Sequence, residues 1–78
     1  MRVIKEFSLN DSIRCTLFSW NGKYIIKLEK GDLEQTYKIR EMDVNGMEDI
    51  DLLLGKAEFI SNSDKIFALM DAGLDDLY

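Results

Sequence analysis

Ile13-Arg14-Cys15-Thr16-Leu17-Phe18-Ser19-Trp20-Asn21-Gly22-Lys23-Tyr24-Ile25-Ile26-Lys27-Leu28-Glu29-Lys30 decides the fold of this chain. Two runs rich in β-branched and aromatic residues are separated by the pair Asn21-Gly22. That pair suits a two-residue type I′ hairpin, whose central positions both need positive φ. The turn sets the register: Trp20 opposes Lys23, Phe18 opposes Ile25, Thr16 opposes Lys27 and Arg14 opposes Glu29. These side chains share one face. Ile13, Cys15, Leu17, Tyr24, Ile26 and Leu28, with Ser19, take the other, which is apolar enough to be the core side.

Working outward, Gly31-Asp32 reads as a second two-residue turn, followed by an alternating strand Leu33 to Arg40. Its register places Tyr37 opposite Ile26 and Ile39 opposite Tyr24 on the core face, and Arg40 opposite Lys23 as a like-charge pair. Met1 to Leu9 forms an opening strand with Val3, Phe7 and Leu9 on one parity and Ile4 on the other, ending in a turn at Asn10-Asp11. Residues 1–40 are therefore expected to form a four-stranded antiparallel β-meander.

Beyond Asn45-Gly46 the period changes. Met47, Ile50, Leu53 and Leu54 suit the apolar face of a helix with Glu48, Asp49 and Asp51 in its first turns, where carboxylates match the dipole, and Gly55 as its end. Phe59, Ile60, Ile66, Phe67, Met70, Leu74 and Leu77 continue at helical steps. Ser63 or Asp64 could serve as a fresh N-cap and divide that segment. Gly73 and Asp75-Asp76 predict fraying at its end. The expectation is a single α+β domain over 1–78: the meander, then one or two C-terminal helices (45–78) packed on one face.

Composition narrows the function classes. Net charge is −5 over 78 residues. Residues 1–40 carry eight basic against five acidic side chains (+3), and residues 41–78 carry two against ten (−8), so the domain is electrically two-sided. The one cysteine, Cys15, permits no internal disulfide, and there is no histidine to activate it or to bind a metal. A domain this short buries only about 60% of its unfolded surface and commonly gains stability by oligomerising. No signal-like apolar stretch opens the chain, and its longest apolar run, Ile66 to Met70, is far below the roughly 20 residues of a membrane span. A soluble, cytoplasmic protein is expected, and Asn10-Asp11-Ser12 reads as a turn rather than a glycosylation acceptor.

No chemistry-bearing motif stands out. The glycines are isolated, so no phosphate-cradling loop exists. Counted from Asp43 as an EF-hand loop, Met47 and Glu48 fall where an oxygen ligand and a glycine belong. Asp71, Asp75 and Asp76, like Glu48, Asp49 and Asp51, read as solvated acidic faces. No catalytic, cofactor-binding or metal-binding residues, no cofactor and no small-molecule substrate are assigned, and an enzyme is not expected.

The outer sheet face is the feature that calls for explanation. It combines Phe18, Trp20 and Ile25 with Lys23, Lys27, Lys38 and Arg40. One reading is a plain exposed sheet with aromatics shielded by lysine stems and Lys23 stacked on Trp20. A second, preferred here, is a homodimer packing sheet on sheet or edge on edge. A third is single-stranded nucleic acid, with bases on Phe18 and Trp20 and phosphates on the four cations, although the acidic balance of the chain weighs against it.

The stretches Thr16–Glu29 and Leu33–Lys38, with the opening strand and Asp43–Asp51, resemble a family of short bacterial proteins to which no activity is assigned. The resemblance implies no site residue. In architecture, a curved sheet followed by a helix is also similar to the single-stranded DNA-binding transcriptional cofactor domains, an analogy of fold alone.

Overall fold

In the computed structural model, which describes residues 1–77, four strands are followed by two helices. They are β1 (Arg2–Ser8), β2 (Arg14–Trp20), β3 (Lys23–Lys30), β4 (Leu33–Arg40), α1 (Met47–Leu54) and α2 (Ala57–Gly73). The strands form one antiparallel sheet in the order β1-β2-β3-β4. The expected α+β meander is thus present, and the C-terminal segment, expected as one or two helices, forms two. Tyr78, the last residue of the expected helical segment, lies outside the described residues.

Both hairpin registers match the turn chemistry. Asn21 (φ 53°) and Gly22 (φ 76°) take the two left-handed positions of a type I′ turn. Trp20 pairs with Lys23, Phe18 with Ile25 and Thr16 with Lys27. At the second turn Gly31 (φ 60°) supplies the positive φ. Lys30 pairs with Leu33, Ile26 with Tyr37 and Lys23 with Arg40.

The mixed parity of β1 has a structural cause. A β-bulge lies between Val3, which pairs with Phe18, and Lys5, which pairs with Leu17. The extra residue lets Ile4 and Phe7, which are an odd number of positions apart, both pack on the core, while Val3 stays on the outer face.

Ile13, Cys15, Leu17, Ile26 and Leu28 from the sheet meet Ile50 and Leu54 of α1 and Phe67 of α2 in one buried cluster. Each such side chain contributes about 1.5–3 kcal/mol of transfer free energy on burial. Burial also raises the Cys15 thiol from its ordinary 9.0 to about 11, against a smaller opposing influence of the Lys5 ammonium. The thiol is therefore packing material at neutral pH.

Polar bonds fix the helical layer laterally. Gln35 Nε2 on β4 donates to the carbonyl of Ser63 at 3.0 Å, and its Oε1 accepts from the Tyr37 hydroxyl at 3.3 Å. Asn10 donates to Asp64 at 3.0 Å while its Oδ1 accepts the Ser12 and Ile13 amides, so its side chain is committed to the turn and to α2. Lys5 reaches from β1 to Asp51 of α1 at 2.6 Å.

The two helices divide at Gly55-Lys56 and not at Ser61–Asp64. Ser63 is buried and its hydroxyl donates to the Phe59 carbonyl one turn back at 2.9 Å, which keeps it inside the helix and corrects its reading as an N-cap. At the start of α1, Gly46 is the N-cap and Asp49 Oδ2 accepts the Asn45 amide at 2.9 Å. After α2 ends at Gly73, the described residues finish with a 3-10 turn at Asp75–Leu77.

Candidate functional site

With α1 and α2 on the inner side, the outer sheet face has no covering layer among the described residues. The pairings arrange it in cross-strand rows: Val3, Phe18, Ile25 and Lys38 in one, Glu6, Thr16, Lys27 and Thr36 in the next, and Trp20, Lys23 and Arg40 at the Asn21-Gly22 end. The structure thus brings all seven expected residues onto one face.

It does not leave them equally available. Trp20 is 45% exposed and Val3 52%, and Phe18 is half-buried. Ile25 is only 5% exposed, which corrects its assignment to the accessible patch. Ile25 occupies a central strand, flanked by Phe18 on one side and Lys38 on the other, where larger neighbours on both sides restrict its access to solvent. The accessible apolar corner is accordingly Val3, Phe18 and Trp20. Val3 was missed because the bulge that turns it outward shows in the sequence only as a conflict of parity.

The charges are also partly internal. Arg40 is held by Asp43 through Nε at 2.9 Å and Nη2 at 3.3 Å, so its opposition to Lys23 is relieved by a carboxylate from the following 3-10 turn. Lys27 lies 3.8 Å from Glu29, and Arg14 bonds Glu6 at 3.0 Å. Lys23 and Lys38 form no ion pair among the described residues. Among those residues the one cation placed over a ring is Lys5, 5.5 Å from the centre of Phe7, and the stacking of Lys23 on Trp20 that the plain exposed-sheet reading included is not formed among them.

Two clefts lie away from this face. One, of about 560 Å³, runs between the β3–β4 turn and α2 over Leu33, Phe67 and Leu74, with Lys30, Asp32 and Asp71 among its lining residues. Its lining contains no side-chain hydroxyl or thiol. The other, of about 360 Å³, is bordered by Lys5, Phe7, Asp51 and Leu54. No three acidic or cysteine side chains among the described residues converge as metal ligands would, and no helix among them is long and apolar enough to cross a membrane.

No family model, curated protein or solved structure matches this chain, so the resemblances noted from the sequence bring nothing to the site.

Proposed function

We propose that this chain is a small non-enzymatic interaction module that associates with a second copy of itself through the outer sheet face. The observation that carries this reading is the solvent-facing corner of Val3, Phe18 and Trp20 on a sheet face that no other element covers among the described residues. Tryptophan in such a position is a common anchor of protein contacts.

Two further features support it. The accessible surface is 5412 Å², against about 4,900 Å² for a compact 9.0 kDa monomer. The Cα radius of gyration is 13.4 Å, against about 11.5 Å for a compact domain of this length. Surface left unburied in the single chain becomes available to a partner. The bulge in β1 and the exposed Lys38 and Arg40 on β4 discourage edge-to-edge pairing, which favours contact through the face.

The alternative, single-stranded nucleic acid on the same face, draws on Lys23 and Lys38, which flank the aromatic corner without ion pairs. It is the weaker reading because Arg40 and Lys27 already have carboxylate neighbours. Sedimentation equilibrium tests the proposal directly: the wild type is expected above the mass of one chain, and Trp20→Glu at one chain with its circular dichroism unchanged. A wild type monomeric at millimolar concentration refutes self-association. Salt-dependent quenching of Trp20 by an oligonucleotide would move the assignment to nucleic acid.

A further inference from the structure

The self-association proposed above does not specify which surface of the second copy meets the outer sheet face. A symmetric pairing sets that face, on which five basic side chains (Arg14, Lys23, Lys27, Lys38 and Arg40) outnumber three acidic ones (Glu6, Glu29 and Glu34), against a second face of the same net sign. The helical layer has the opposite character. From Met47 to Leu77 it carries eight acidic side chains against Lys56 and Lys65 alone. Three of the acidic ones, Asp49, Asp51 and Asp64, are already held by the Asn45 amide, Lys5 and Asn10. It also displays apolar side chains that the core does not use: Leu52 is 67% exposed and Leu69 73%. Basic and apolar on one side, acidic and apolar on the other, the two faces are complementary in both respects.

Size agrees as well. The molecule measures 41 × 26 × 20 Å, and its shortest dimension fits the thickness of one sheet plus one helix layer. The sheet face itself, four strands of seven or eight residues, spans roughly 20 × 26 Å before side chains, so a contact here uses nearly all of it. Resting on the self-association reading, we infer that the outer sheet face of one copy docks on the acidic helical layer of the next, head to tail. Trp20 and Val3 meet the exposed leucines, and Lys23 and Lys38 meet the helical carboxylates. A contact between two different surfaces leaves one of each free at the ends, so assembly continues beyond two copies or closes into a ring.

A mixing experiment separates this from symmetric pairing. Trp20→Glu disables the sheet face and Leu69→Glu the helical face, both at exposed positions, with folding checked by circular dichroism. Head-to-tail docking predicts that each variant alone is a monomer and that a 1:1 mixture sediments as two chains and no more, because only one productive contact remains. If Leu69→Glu keeps the wild-type mass while Trp20→Glu does not, head-to-tail docking is overturned and association through the outer face stands. Two monomeric variants that fail to combine also overturn it. A monomeric wild type, or an associating Trp20→Glu, removes the underlying reading as well.

Salt gives an independent sign that needs no variant. Raising NaCl from about 0.05 to about 0.5 M screens attraction between the faces, and the wild-type dissociation constant is expected to rise several-fold. Symmetric pairing of like charges predicts tighter association with added salt, and that result would overturn the inference.

Discussion

Cys15 offers a quantitative test of how completely the helical layer seals the sheet. Its side chain is 0% exposed, and burial lifts the thiol from 9.0 to about 11. The folded state therefore holds the proton to higher pH than the unfolded state does, and stability falls as pH rises from 9 through 11. The thiol's contribution is fully present below pH 9. At pH 10 the unfolded thiol is about nine-tenths ionised and the folded one about one-tenth, a tenfold change in the folding equilibrium, or about 1.4 kcal/mol. Urea denaturation of the wild type and of Cys15→Ala at pH 8 and pH 10 measures this, because everything the two proteins share cancels in the double difference. Cys15→Ala is expected to be less stable at pH 8, having lost a packed sulfur, but to lose about 1.3 kcal/mol less than the wild type between the two pH values. Parallel losses would refute the argument, showing that water reaches the thiol in the folded state.

Three other outcomes follow from the packing. Phe67→Ala, at the centre of the sheet–helix interface, is expected to lower urea stability by about 3–5 kcal/mol, whereas Leu69→Ala two residues on changes it by less than about 0.5 kcal/mol. Gln35→Ala removes the donor to the Ser63 carbonyl and the acceptor for Tyr37, and should cost about 1–2 kcal/mol with α2 amides exchanging faster by NMR. Asp51→Asn breaks the ion pair with Lys5, in which both side chains are about half exposed, and a melting curve should show a loss of under about 1 kcal/mol that vanishes in high salt.

The meander was legible because its information is local. Asn21-Gly22 dictates a turn type, the turn type dictates register, and register with period-two patterning assigns Cys15, Leu17 and Ile26 to the core. What escaped depends on neighbours brought from elsewhere. Ile25 follows the alternation of an outward residue, yet its burial is decided by Phe18 and Lys38 on flanking strands. Arg40 reads as a free cation, but the 3-10 turn at Glu41–Asp43 returns a carboxylate to it. Ser63 has the composition of a cap, but its bond back to the Phe59 carbonyl and its burial beneath Gln35 hold it inside α2. At the candidate face, residue types and side were readable from the strands, whereas accessibility and free charge required the assembled sheet.

The uncrossed strand order has a kinetic consequence. Each strand pairs with the one preceding it, the two later turns are two residues long, and no strand waits for a distant segment. Loop closure is correspondingly inexpensive in entropy, so the sheet can grow outward from the β2–β3 hairpin, each new strand finding a finished edge. The slow part of folding is then the docking of α1 and α2, which must close over Cys15 and Leu28 before the hairpin's apolar side is hidden. Stopped-flow refolding followed by Cys15 protection should accordingly lag behind formation of the sheet.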